Sequence, residues 1–203
     1  MRGGAARSAA VNATSFQHFA IVVSDMRAAM ARLGAVPGWQ PISRDGPRLL
    51  PERSGGVTAF KFRDPDGHPL ELLEFPADRV PAVWRGAAGL FLGIDHSAIT
   101  VMETARSVAF WRGLGFERVG GSVNSGPEQA ALDGLDAPVV EVTALEAGDA
   151  GPHLELLCYR TPPVFADARD AEDALATAIV LGGGERVSAV DPDGHRVFAG
   201  LVG

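Results

Sequence analysis

The chain has 203 residues, 46% of them hydrophobic and 21% charged, with a formal net charge of −7. That length accommodates one large or two small globular units with a buried core, and the acidic balance leaves no electrostatic footprint for nucleic acid. A single cysteine, Cys158, excludes an internal disulfide, and no run approaches the roughly 18 apolar residues of a membrane span. The expected setting is cytoplasmic, with Cys158 an inert core thiol.

Residues 1–15 are small and polar, lack the apolar core of a signal peptide, and read as a disordered tail. Phe16 to Val23 is a short run of strand formers. Ser24-Asp25 offers an N-cap for a helix with Met26, Met30 and Leu33 on one face, and Gly34 stops it. Arg44 to Gly56 reads as a loop. Val57 to Phe62 and Leu70 to Phe75 form a hairpin about Asp64-Pro65-Asp66-Gly67, because proline presets φ and glycine tolerates positive φ. Pro76 to Gly89 is a linker. Gly93 to Val101 is a strand; Thr104 caps a helix with Val108, Trp111 and Leu114 on one face, ended by Gly115. Phe116 to Gly120 begins a strand, Asn124 to Pro127 is a loop, and Val139 to Leu145 and His153 to Tyr159 are strands. The remainder offers a strand near 175–181, a Gly182-Gly183-Gly184 turn and a second DPDGH hairpin.

Parts of this pattern repeat. RDPDGHPLELLEF at 63–75 recurs in part as VDPDGHRVFAGLV at 190–202, FQHFAIVV at 16–23 is echoed by IDHSAITV at 94–101, and PLELLEF at 69–75 by HLELLCY at 153–159. The fold class expected is therefore α+β, built from βαβββ modules: a first at 16–80, a second at 90–161, and a truncated third at 162–203.

Side chains alternate across a strand, so residues i and i+2 share a face. His18 then lies with Phe16, Ala20 and Val22, and Glu71 with Leu73 and Phe75. His96 lies with Ala98 and Thr100, and Glu155 with His153, Leu157 and Tyr159. Each interrupts an apolar strand face. An unpartnered buried carboxylate is very costly; a divalent cation resolves the conflict, since imidazole and carboxylate suit Zn, Ni, Co, Mn or Fe(II). His153 reads as a ligand, a hydrogen-bond donor to a ligand, an acid or base, or a solvated strand start, Glu74 as solvated on the opposite face, and His68 and His195 as turn residues. Tyr159, the only tyrosine, is a phenolic donor or a packing residue. Gly182 to Gly184 lacks phosphate-loop spacing, and no GxSxG nucleophile motif occurs.

FRDPDGHPLELLEF and GIDHSAITVMETARSVAFWRGLGF resemble the last hairpin and the first strand and helix of vicinal oxygen chelate proteins, the glyoxalase, bleomycin-resistance and extradiol-dioxygenase superfamily. The resemblance covers about residues 16–160. It implies two modules paired into a U-shaped sheet around one divalent metal held by His18, Glu71, His96 and Glu155, with Glu155 or Glu71 as catalytic base. It implies a glyoxalase-like isomerase or lyase acting on a small oxygenated substrate. A ring-cleaving Fe(II) dioxygenase and a non-catalytic bleomycin-resistance-like binding protein are the alternatives. The third copy carries Ala176 and Phe198 where the ligands would stand and is expected to bind no metal. The modules follow one another in an order opposite to the usual one, which leaves open whether the half-sites meet within one chain, between subunits or not at all. A homodimer is expected, because a truncated module leaves a sheet edge and an apolar face in need of cover.

Overall fold

Strand β1 (Gln17–Val23) opens the described fold and enters helix α1 (Met26–Gly34) through Asp25, whose side chain accepts from the Ala28 amide. The computed structural model describes residues 9–148, 151–170, 173, 176, 178–182 and 187–200. After α1 come two short strands, β2 (Gln40–Pro41) and β3 (Arg48–Leu49), then the hairpin of β4 (Thr58–Arg63) and β5 (Pro69–Glu74). The turn between β4 and β5 closes through Asp64: its Oδ1 accepts from the Asp66 and His68 amides, and Gly67 takes φ 96°.

A second run repeats the plan with β6 (Phe91–Thr100), α2 (Thr104–Gly113), β7 (Glu117–Ser125), α3 (Pro127–Asp133), β8 (Val139–Glu146) and β9 (His153–Thr161). Glu103, not Thr104, caps α2: its carboxylate accepts from the Ala105 and Arg106 amides, which suits an anion at the positive helix end. Helix α3 stands in the connection that begins at the expected Asn124–Pro127 loop, with Pro127 in its first turn and Gly134 ending it in the left-handed region at φ 65°. Likewise the expected loop over 44–56 contains β3 and a single 3-10 turn at Glu52–Ser54.

The strands join in one mixed sheet, in the order β2-β4-β5-β1-β6-β9-β8-β7, with β3 also on β4. Its seam is the antiparallel pair β1–β6. One face of this sheet packs on the helices. Val23, Phe60, Phe62 and Leu72 bury against Met26 and Ala29 of α1, and Ile99, Leu145, Leu154 and Leu156 against Trp111 of α2, which is fully buried. The other face turns inward, because the sheet curls until its two ends meet. Ser54 donates to Asn124 Oδ1 (2.9 Å) and the Arg53 guanidinium to the Ser125 carbonyl (2.9 Å). Helix α3 straps the gap, with the Arg44 amide donating to the Ala131 carbonyl (2.7 Å) and Ser43 Oγ to the Leu132 carbonyl (2.8 Å).

Residues 9–15, expected as part of a disordered tail, are packed: Val11 and Ala13 are buried, and the Val11 carbonyl accepts from Thr100 Oγ1 at 2.7 Å. Small apolar side chains fit between the sheet and the segment near Phe165, with which Ala13 forms a bridge. A separate sheet of β10 (Ala178–Leu181), β12 (Arg196–Ala199) and β11 (Val187–Val190) follows. It pairs β10 with β12 in parallel, as β1 pairs with β5. In that register Phe198 matches Glu71, and the residue matching His18 is Ala178, two before Val180, rather than Ala176. Fully buried Val197 seals the small sheet against the α2 core, and His195 Nε2 lies 2.9 Å from the Thr100 carbonyl. Gly183 and Gly184 of the expected turn lie outside the described residues. Among the described residues no helix is long and apolar enough to cross a membrane.

Candidate metal centre

Register brings the candidate residues to one place. Across the seam His18 stands opposite Ala98, and His96 opposite Ala20. Glu71 of β5 stands on the other side of Ala20, and Glu155 of β9 on the other side of Ala98. One row across the sheet therefore reads Lys61, Glu71, Ala20, His96, His153, and the next His18, Ala98, Glu155. Both alanines are fully buried and, being small, leave space above them for the flanking imidazoles and carboxylates. Both His/Glu half-sites thus close within one chain.

His18 Nε2 lies 2.9 Å from Glu71 Oε2. His96 Nε2 lies 3.7 Å from the same oxygen and 3.6 Å from Glu155 Oε2. The three donor atoms of His18, Glu71 and His96 all fall within 4.8 Å of one another. Glu155 flanks this triad rather than joining it, and its other oxygen lies 3.5 Å from His153 Nε2.

Asp95 is a member of the site that strand alternation misses. Between the Ala20–His96 and Ile21–Ile94 pairs the register slips, and Asp95 is the extra residue of a β-bulge. The bulge turns its carboxylate to the cavity side, 3.0 Å from His96 Nδ1. With Nδ1–H donated to Asp95, Nε2 faces Glu71 and Glu155, where it has no hydrogen-bond partner, and a cation binding there would take the place of the Nε2 proton. A second close group, Asp95, His96 and His153, shares His96 with the triad.

His18, Glu71 and His96 are 2%, 5% and 6% exposed, so charge here is strongly felt. Burial pushes the His18 imidazolium below its ordinary range, leaving a neutral ring. Burial pushes His96 the same way, but Glu155, Asp95 and Glu71 outweigh it and hold His96 up at about 10. Burial works upward on Glu155, yet His96 and His153 bring it down to about 2. Glu71 is likewise held well below the carboxylate range, against burial, by Lys61 and the two imidazoles. Two ionised carboxylates thus face one protonated and one neutral imidazole. This excess of negative charge, together with the orphaned His96 Nε2 and an N/O donor set, fits a divalent cation.

The centre opens into a cavity of about 320 Å³. Leu132 and Gln129 of α3 roof it, and Val140, Val142 and Leu157 form an apolar wall. The roof is pinned by a buried ion pair, Lys61 Nζ to Asp133 Oδ1 at 2.7 Å, with Gln129 Nε2 donating to the other Asp133 oxygen at 2.7 Å. Of the remaining sequence candidates, Glu74 stands on the helix-facing side, where it accepts from the Met26 amide (3.3 Å), and His68 stays with its turn, Nδ1 lying 3.4 Å from Asp64.

No family model and no curated protein matches the sequence. Solved structures do match its fold. Glyoxalase I from Zea mays is 16% identical, with a TM-score of 0.54, over 90% of this chain and 66% of that one. Methylmalonyl-CoA epimerase from Mycobacterium tuberculosis is 18% identical, with a TM-score of 0.50, over 69% of this chain and 84% of that one. The chain has the vicinal oxygen chelate fold. At this identity the likeness establishes the fold alone.

Proposed function

We propose that the chain is a divalent-metal enzyme of glyoxalase-like kind, an isomerase or lyase acting on a small molecule that chelates through neighbouring oxygens. The observation that carries this reading is the buried convergence of His18 Nε2, Glu71 Oε2 and His96 Nε2 within 4.8 Å, with the Glu155 carboxylate beside them. His18, Glu71, His96 and Glu155 would hold the cation, which would supply Lewis acidity to polarise a substrate carbonyl.

The chain's own residues do the rest. Glu155 is the proton carrier: it is held ionised, one oxygen faces the cluster and the other faces His153. Positioned so, it takes a proton from the carbon beside the polarised carbonyl and returns it to the neighbouring atom. Glu71, tied to His18, His96 and the facing Lys61, is the more firmly fixed carboxylate and serves first as ligand. Asp95 orients His96. The apolar wall and the α3 roof limit the substrate to a small molecule.

One observation favours a second reading. The three mutually close donors come from two histidines and one carboxylate, the pattern of open Fe(II) sites, which would make the reaction ring cleavage of a catechol by dioxygen.

Elemental analysis of the purified protein tests both. About one divalent ion per chain is expected, lost in the His18→Ala, His96→Ala double variant. Zinc, nickel, cobalt or manganese without oxygen uptake supports the isomerase or lyase. Iron with oxygen uptake on catechols supports the dioxygenase. A native protein that neither carries nor takes up metal sinks both and leaves a binding protein without chemistry.

A further inference from the structure

The small third sheet repeats the strand plan of the first module, but one of its strands lacks the neighbour that plan provides. β10, β12 and β11 pair as β1, β5 and β4 do, parallel and then antiparallel. In register, Glu71 stands beside Ala20, Glu155 beside Ala98 and Phe198 beside Val180. β10 is thus a third copy of the strand that β1 and β6 represent. Those two pair with each other and form the seam. β10 lies at the edge of its sheet, and among the described residues no strand pairs with its outer side. Ile179, Leu181 and Val197 turn to the α2 core. Alternation puts Ala178, Val180 and Phe198 on the opposite face, the one that carries the metal cluster in the full modules. There the ionisable positions have become small or apolar: Ala178 stands for His18, Phe198 for Glu71 and Ser188 for Lys61. Such a face can be covered without a cation. It is open, with Val180 56% exposed and Val190, on the same face, 61% exposed. An uncovered edge strand with an exposed apolar face invites pairing with another chain.

We propose that β10 pairs antiparallel with β10 of a second copy of this chain, forming between two molecules the seam that β1 and β6 form within one. The occupant follows from the pattern. β1 and β6 complement each other and are consumed in doing so, and the strand of this type left free is β10 of another chain. The register carries over as well. Phe19 stands opposite Ser97, and His18 opposite Ala98. In the same register Ile179 stands opposite the partner's Ile179, and a two-fold axis passes between them, so the contact is isologous and closed. Ala178 then faces the partner's Val180 on either side of the axis. In the metal seam those places hold a histidine opposite an alanine. Here a smaller residue replaces the imidazole and a larger one replaces the alanine, so each cross-strand pair is apolar and brings no donor atoms together.

Sedimentation velocity of the full chain over a range of micromolar concentrations is expected to show a monomer–dimer equilibrium. Val180→Lys and Val180→Glu each alter an exposed side chain, so both variants are expected to keep the wild-type circular dichroism and thermal unfolding. The axis brings the two 180 positions together diagonally. Each variant alone is therefore expected to dimerise about 10-fold or more weakly than the wild type, and an equimolar mixture of the two to regain the dimer. A wild-type chain that stays monomeric throughout overturns the proposal. So does a dimer that neither substitution weakens, which places the contact on another face, and so does a mixture that fails to recover. Hydrogen exchange of the wild-type chain provides a check free of any substitution. Exchange of the β10 amides is expected to slow as chain concentration rises, and rates independent of concentration overturn the pairing.

Discussion

His18 and His96 stand diagonally across the β1–β6 seam, each directly opposite an alanine of the other strand, with ring centroids 5.6 Å apart. The arrangement is nearly two-fold: His18 faces Ala98 and His96 faces Ala20. Because the facing residues are small, both rings can lean over the seam toward one another. A larger residue at either alanine would occupy the place where the donors converge.

Ala98→Val tests this relationship. Ala98 is fully buried between His18 and Glu155 in the register, so added methyls have nowhere to go without displacing one of them. We expect a loss of about 1–3 kcal/mol in stability, together with loss of bound metal. Chemical denaturation and metal content, measured on the same preparation, check both. Full metal retention would contradict the seam geometry.

Glu71→Gln and Glu155→Gln separate ligand from base. Glu71 Oε2 touches both histidines, whereas Glu155 Oε2 is within ion-pair distance of His96 but not His18. Glu71→Gln should empty the centre. Glu155→Gln should keep most of the metal and lose turnover by about 100-fold or more, the scale of a general base. Metal analysis and rate, once a substrate is in hand, distinguish them.

The parity of short apolar strands was enough to place His18, Glu71, His96 and Glu155 on inward faces, because an ionisable residue at an apolar position stands out. Parity failed at Asp95, where a bulge carries a residue of the wrong phase to the cavity side. It also passed over Lys61, whose partner Asp133 sits on a seven-residue helix that falls short of two full helical periods. Pro127, Glu128 and Gly134 were its readable signals. Which half-site meets which was beyond the sequence, since strand pairing across the seam joins residues about 80 positions apart and is decided by packing.

Asp95→Asn examines the support behind His96. The amide keeps the shape but removes the charge that orients Nδ1–H. Metal affinity should fall about 10- to 100-fold, the usual penalty for such a partner, with little change in fold. Competition against a calibrated chelator measures it. An unchanged affinity would assign Asp95 to the bulge alone.

The Lys61–Asp133 pair makes the last prediction, in the metal-free protein. Both side chains are at most 5% exposed, so removing one partner strands a buried charge. Lys61→Met should destabilise by about 3–5 kcal/mol, and Lys61→Met with Asp133→Leu should recover much of it, because two apolar groups need no desolvated partner. The pH dependence has a definite sign. Burial works to lower the Lys61 pKa, but Asp133 and Glu71 outweigh it and raise it above 10.5. A group whose folded pKa is raised contributes stability that is complete below its unfolded value and disappears as pH climbs through the folded one. Wild-type protein should therefore lose stability relative to the double variant only on the alkaline side of about pH 10.5. Urea titrations at neutral and strongly alkaline pH check this, and a gap between the two proteins that does not change with pH would show that the ammonium is not what pins α3 to β4.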